Sequence, residues 1–293
     1  MMQAYPAVTA ILATVLQVFL VSCSPSVNTA SPVLPSTRQH PAAMEQHDVA
    51  GIVLSAASKQ KIGNKIWQNE SGGTTAGLTH WNTGEEFPSI GIGHFIWYPL
   101  GFKGRWTESF PLFVAYVNQH KPESIPKWIM ANKHCPWPDK TSFTRDFHGP
   151  RLQALRHWLA NNVSLQTDFI IKTSRQAIPN IMRSAPSAHK ERIRINYQKV
   201  STTAHGTYAL IDYVNFKGDG TNPSERYNDQ GWGLMWVLLE MKDTDSGQAA
   251  ASEFAAAAIR CLDRRIKNSP KARGEIRWRA GWHNRCGTYA KPF

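Results

Sequence analysis

The stretch from Ile62 to His94 constrains the fold more than any other part of the chain. Ile62 and Ile66 are spaced four apart and Glu70 continues the row, so all three lie on one helix face. Gly72 and Gly73 follow and end the helix. A path rich in Gly, Thr and polar residues then leads into Ser89-Ile90-Gly91-Ile92-Gly93-His94, which reads as a glycine-containing strand or hairpin. One acid is thereby set at a helix end beside a small β element. On the apolar side of a helix end its carboxyl is expected to be partly desolvated, which favours the protonated form near neutral pH. A general acid needs that property. The plainer reading is an acid that only flanks a loop.

These residues resemble the active-site start of phage-type lysozymes, in the lysozyme-like superfamily. In that family a Glu ends a helix and a short hairpin closing in Thr-Ile-Gly-Tyr/Ile-Gly-His walls the sugar cleft. Ser89 falls where the family has its Thr, and Gly91, Ile92, Gly93 and His94 match residue for residue. The resemblance runs only from Glu70 to His94. The Glu-to-His spacing is a few residues longer than in the family. The family's second acid, an Asp six residues before its Thr, falls here on Thr83, with Glu85 and Glu86 nearby as substitutes. The run Trp81 to Pro88 and the following Phe95-Ile96-Trp97-Tyr98-Pro99 are atypical of the phage enzymes and look like a divergent bacterial branch.

The chain has 293 residues and a net charge of +12, with no charged side chain before Arg38, so the charge belongs to the folded part. Such a domain is drawn to polyanions: nucleic acid, an anionic lipid surface or an acidic cell wall. No Lys/Arg run, zinc-finger spacing or RNA-binding aromatic signature is present, which disfavours nucleic acid. Residues 1–22 read as a signal segment. The apolar stretch Ala10 to Val21 is too short to favour a membrane span. Leu20-Val21-Ser22-Cys23 resembles the lipobox of bacterial lipoproteins, with Cys23 the lipidated residue and Ser24 resembling an outer-membrane sorting signal, although the segment before the apolar stretch lacks Lys and Arg. A secreted protein with an ordinary cleaved signal is the alternative. Residues 23–47, rich in Pro, Ser, Ala and Thr, read as a tether, and 48–293 as one domain. Of the remaining cysteines, Cys261 and Cys286 are the expected disulfide pair, since an oxidising periplasm permits one bridge and the loop between them is short.

Beyond the hairpin region, placed from Leu78 to Tyr98, the pattern is mostly helical: 110–117 after the candidate cap Thr107, a stripe at Leu152, Leu155 and Leu159, then 164–183, 208–216, 231–241 and a stripe from Phe254 to Ile266. A second chemically dense stretch runs from Asn215-Phe216-Lys217-Gly218-Asp219-Gly220 through Glu225-Arg226-Tyr227 to Gly231-Trp232-Gly233. Asp219, Glu225 and Tyr227 are candidates for the far side of a cleft, against a structural loop whose acids cap helices. His80, His94, His134 and His148 match no metal-ligand spacing and HExxH is absent, so no metal or other cofactor is expected. His94 is expected to anchor the hairpin by hydrogen bonding, as in the lysozyme family. Tryptophan is abundant, at 11 residues. Its rings suit sugar stacking, though most should be core.

The expected fold is mainly α, a lysozyme-like α+β domain with a small β-hairpin after the helix bearing Glu70. The resemblance implies cleavage of the peptidoglycan glycan strand between N-acetylmuramic acid and N-acetylglucosamine. Glu70 is the implied proton donor, Glu85 or Glu86 the second carboxylate and Ser89 the residue positioning water. Trp81, His94, Trp97, Tyr98, Glu225 and Tyr227 are the expected sugar contacts. A lytic transglycosylase using Glu70 alone, or a cell-wall-binding lipoprotein without catalysis, are the alternatives. The implied partners are peptidoglycan and, through Cys23, a membrane, which places the protein in the periplasm on the outer membrane.

Overall fold

The computed structural model describes residues 54–104 and 106–292. The expected signal segment, Cys23 and the whole of the tether lie outside the described residues. Helix α1 (Ala56–Ser71) starts where the Ser55 hydroxyl accepts from the Ser58 N–H and stops at Gly72, which takes a left-handed φ of 62° and returns its N–H to the Gln68 carbonyl. Ile62 and Ile66 are fully buried, as their spacing requires. A three-stranded antiparallel sheet follows, with β1 (Thr79–His80), β2 (Ser89–Ile90) and β3 (Phe95–Ile96) in that order. The Gly91–His94 run is therefore not strand but the turn joining β2 to β3.

Eleven-residue α2 (Phe110–His120) begins at Ser109, not at Thr107, which makes no cap. Short α3 (Lys127–Ala131) and α4 (Lys140–Arg145) precede α5 (Pro150–Ala160), α6 (Val163–Ser184), α7 (Ser187–Ser201) and α8 (Ala204–Lys217). A two-stranded hairpin, β4 (Arg226–Tyr227) with β5 (Gln230–Gly231), leads to α9 (Leu234–Glu240), α10 (Gln248–Asn268) and α11 (Arg279–Gly287). The domain is thus mainly helical with small antiparallel sheets, as expected.

Two helices organise the core. Every residue of α8 from His205 to Tyr213 is buried, and this helix packs on α1, α6, α7, α9 and α10. Along this helix Tyr208, Asp212 and Tyr213 have hydrogen-bond partners, whereas the buried His205 Nε2 has none among the described residues. In α10 the buried face is largely alanine (Ala250, Ala251, Ala255, Ala257, Ala258), so α7, α9 and α11 lie close against it. The sheet side has its own aromatic packing: Phe95 stacks on Phe113 with centroids 5.0 Å apart, and Trp97 meets Phe110 at 4.5 Å.

The β2–β3 turn is docked rigidly on α6. Gln166, fully buried, accepts the Ile92 N–H at 2.8 Å and donates its amide to the Leu159 carbonyl at 2.7 Å. Gly91 has φ +76°, and a Cβ there would stand 2.2 Å from the Gln166 Oε1. Gly84 has a similar φ of +83° but open space around it. Both alanine substitutions bear left-handed strain of about 1 kcal/mol or more, and only Gly91→Ala also displaces Gln166. Chemical denaturation should therefore find Gly91→Ala clearly less stable than Gly84→Ala; equal losses would contradict the docking of this turn.

Candidate functional site

Glu70 projects from the last turn of α1 with only 11% of its side chain exposed. Three elements distant in sequence supply its partners. Arg285, from α11, places Nη1 2.7 Å from Oε1, and Asn215, from the last turn of α8, donates Nδ2 to the same oxygen at 3.2 Å. His94, at the end of the docked turn, sets Nδ1 3.2 Å from Oε2. The turn needs an unusual backbone to do this: His94 itself has φ +48°, and Gly93 leaves no room for a side chain between Phe95 and Asn215.

Arg285 is fixed from behind. Its Nε and Nη2 donate to the two oxygens of Asp212, each at 2.8 Å, and the Tyr289 hydroxyl donates to Asp212 Oδ2 at 2.7 Å. Asp212 is fully buried on α8. One guanidinium thus bridges two carboxylates, with the fork committed to Asp212 and the remaining nitrogen to Glu70.

The protonation states follow from this geometry and correct the expectation of a protonated acid. Burial is the largest influence on Glu70 and raises its pKa, but Arg285, His94 and Lys217 together outweigh it, and the carboxyl lies below the ordinary glutamate value. The resting site holds a carboxylate. Burial is also the largest influence on His94 and lowers its pKa; Arg285 lowers it further and Glu70 opposes both without reversing them. The imidazole is therefore neutral near pH 7, and its position against a carboxylate assigns the proton to Nδ1. Among the described residues its buried Nε2 has no hydrogen-bond partner.

Other expected site residues fall differently. Glu85 and Glu86 lie in the loop between β1 and β2, not in a strand. Glu85 is half-buried and accepts Asn82 Nδ2 at 2.9 Å, and its charge acts on His94, whereas Glu86 is exposed. Ser89 is buried in β2 between His80 and Ile96. Trp81, Trp97 and Tyr98 are core residues, not sugar platforms. Trp81 packs edge-on against Phe143, Trp97 against Phe110 and Trp137, and the Tyr98 hydroxyl is spent on the Trp106 carbonyl. Tyr227 donates to Glu275 at 3.0 Å, while Asp219 accepts from Thr221 and Asn180, so both serve structure. Glu225 is half-buried, with Oε2 beside Gly218 at the end of α8. The expected Cys261–Cys286 disulfide is absent: both are free, buried thiols on the packed α10 and α11.

The residues not foreseen as site members are Arg285, Asp212, Tyr289 and Asn215. Asn215 opens the second dense stretch, but Arg285 sits in a C-terminal segment whose many cations give no local reason to single it out. No protein-family model matches this chain, and neither curated proteins nor solved structures include a significant match to it.

The Glu70–His94 contact carries a sign that can be measured. Since the Glu70 carboxylate raises the His94 pKa, removing its charge must lower that pKa further. In NMR titrations the His94 imidazole should titrate below the ordinary histidine range in the wild type, and lower still in Glu70→Gln; an upward move would break the assigned pairing. In the stability curve, a group with a depressed folded pKa stabilises above its unfolded pKa and loses that contribution as pH falls through the folded value. Glu70→Gln should accordingly flatten part of the loss of stability on the acid side.

Proposed function

We propose that this domain cleaves the glycan strand of peptidoglycan, in the manner of a muramidase, with Glu70 as the proton-transferring carboxyl. The observation that carries the reading is one nearly buried carboxyl, at a helix end, held by three convergent donors from α8, α11 and the glycine turn. The lysozyme-like fold, the resemblance of the Glu70-to-His94 segment, and a charge suited to an anionic wall belong to the same proposal.

The chemistry follows from the electrostatics. A sugar seated over the exposed edge of Glu70 completes its burial, and burial acts to raise its pKa. The bound complex is thereby moved toward the proton-bearing form that donates to the glycosidic oxygen. As the proton leaves, Arg285, Asn215 and His94 stabilise the carboxylate that forms, so their contribution grows along the reaction. Glu85, half-buried and acting by its charge on His94, is the better second carboxylate for activating water; Glu86 is exposed. A second reading is a lytic transglycosylase that uses Glu70 alone and the substrate's own hydroxyl, favoured by the absence of a second carboxylate among the described residues hydrogen-bonded around Glu70. In either case the protein is proposed to act from a lipid anchor at Cys23 in the outer membrane.

Zymography on purified peptidoglycan tests the reading, and mass analysis separates a hydrolysed from an anhydro product. Glu70→Gln should lose about 10²-fold or more in activity while remaining folded; near-normal clearing by this variant removes Glu70 from the chemistry. Because the free enzyme must acquire a proton on Glu70, kcat/KM should rise as pH falls toward the depressed Glu70 value. A preparation that co-sediments with peptidoglycan and clears none of it is a binder, not an enzyme.

The two hairpin-loop acids separate hydrolysis from the single-acid route. Glu85→Ala should reduce hydrolysis by about 10²-fold, the usual scale for a positioned base, and Glu86→Ala should leave it near wild type. Equal, silent effects would leave the single-acid mechanism in place.

A further inference from the structure

Next to Glu70 lies a column of alternating cations and aromatic rings. Arg285 sits over Phe216 (4.1 Å to the centroid) and Lys217 Nζ stands 3.8 Å from Phe216 and 3.9 Å from Trp282. Arg265 lies over Trp282 at 4.9 Å and over Trp232 at 4.1 Å. The flanking arginines are saturated: Arg285 is shared by Asp212 and Glu70, and Arg265 is held by both oxygens of Glu275 at 2.7 and 3.0 Å. Lys217 differs. Among the described residues it forms no ion pair, and the two rings that grip its amine orient it without supplying a counter-charge. The residue as a whole is half-buried.

We infer that Lys217 is the binding group for a carboxylate carried by the glycan that Glu70 cleaves. This rests on the proposed function and names its substrate class: a sugar bearing a free acid, such as the unmasked lactyl ether of muramic acid. A substrate laid against an ionised Glu70 cannot bring its own anion close unless a cation receives it. Of the three basic side chains in the column, Lys217 alone is without an ion-pair partner among the described residues. The groups facing it are Arg265 from α10, Arg285 and Cys286 from α11, and Glu70 from α1. Burial first, then the two arginines, holds its pKa well below the ordinary lysine value, so an arriving carboxylate draws a proton onto the amine. Binding should weaken as pH rises through that lowered value.

The test is equilibrium binding to the intact domain, by NMR or calorimetry, of N-acetylmuramic acid, its lactyl amide and N-acetylglucosamine. The acid should bind about tenfold or more tightly than the other two, the scale of one charge-assisted hydrogen bond. Lys217→Met keeps the apolar stem between the rings and should abolish that advantage; Lys217→Arg should restore most of it. Muramyl dipeptide, whose acids lie on the peptide, separates the source: Lys217-dependent binding equal to that of the free sugar acid assigns the carboxylate to the stem peptide. Equal affinity for acid and amide, no binding of the acid, or an advantage that survives in Lys217→Met each overturns the inference. Cleavage of peptidoglycan together with any of those results leaves the Glu70 reading standing without it. An acid preference that depends on Lys217 in a protein that clears no peptidoglycan does the reverse.

Discussion

The Arg285 guanidinium is the interaction on which the site depends. It is buried, and burying an arginine without counter-charges carries a penalty of several kcal/mol. Asp212 meets that demand with both oxygens, and Tyr289 stabilises Asp212 in turn. This backing ties α11 to α8 before Glu70 is considered, so the nitrogen facing Glu70 is aimed by contacts that do not involve it. Removing one member of such a network typically costs about 3–5 kcal/mol, because a charge is left buried and unpaired. Glu70 is the peripheral member. It can change charge while Arg285 keeps its partner, which a reactive carboxyl requires.

The second constraint comes from the opposite wall. His94 reaches Glu70 only because its turn is locked on α6 by Gln166, and the locking needs Gly91 and Gly93 for room as well as conformation. The sequence Gly-Ile-Gly-His then has a local physical meaning. The first Gly turns the chain beneath Gln166, and Ile92 plugs the core with no exposed surface. The second Gly lets the backbone pass Phe95 and Asn215, and His94 accepts a left-handed φ to face the acid. Four adjacent residues thus join core packing to site geometry.

What was legible in the sequence was what short-range pattern encodes. The Ile62–Ile66–Glu70 row, the Gly72 stop and the hairpin after it are contiguous signals, and the structure follows them, as it does the broad helical series beyond. The charge state of Glu70 was not legible. From its helix alone Glu70 looks desolvated and therefore protonated; the opposing basic groups come from positions 94, 217 and 285, which only tertiary packing unites. The aromatic residues misled for a related reason. Trp81, Trp97 and Tyr98 flank the hairpin, but a sheet of two-residue strands has little hydrogen bonding of its own and is held by aromatic packing on α2 and its neighbours. In the second dense stretch the acids and Tyr227 drew the eye, while the α8 end contributed Asn215 and Lys217, the residues beside Glu70.

Asp212 also sets how strongly Glu70 is held. A guanidinium devoted wholly to Glu70 would deepen the depression of its pKa and leave the proton-bearing form too rare for proton transfer at moderate pH. Because Asp212 takes the bidentate face, Glu70 feels one nitrogen of a cation already partly neutralised. The remaining balance lies between burial, the largest influence and an upward one, and a set of basic groups that only together exceed it. A group poised between opposing influences responds to small changes in either. Covering its exposed edge adds to burial and so raises its pKa. On the proposed reading, then, substrate itself moves Glu70 toward its proton-bearing form, and the site becomes most acidic in function when it is filled.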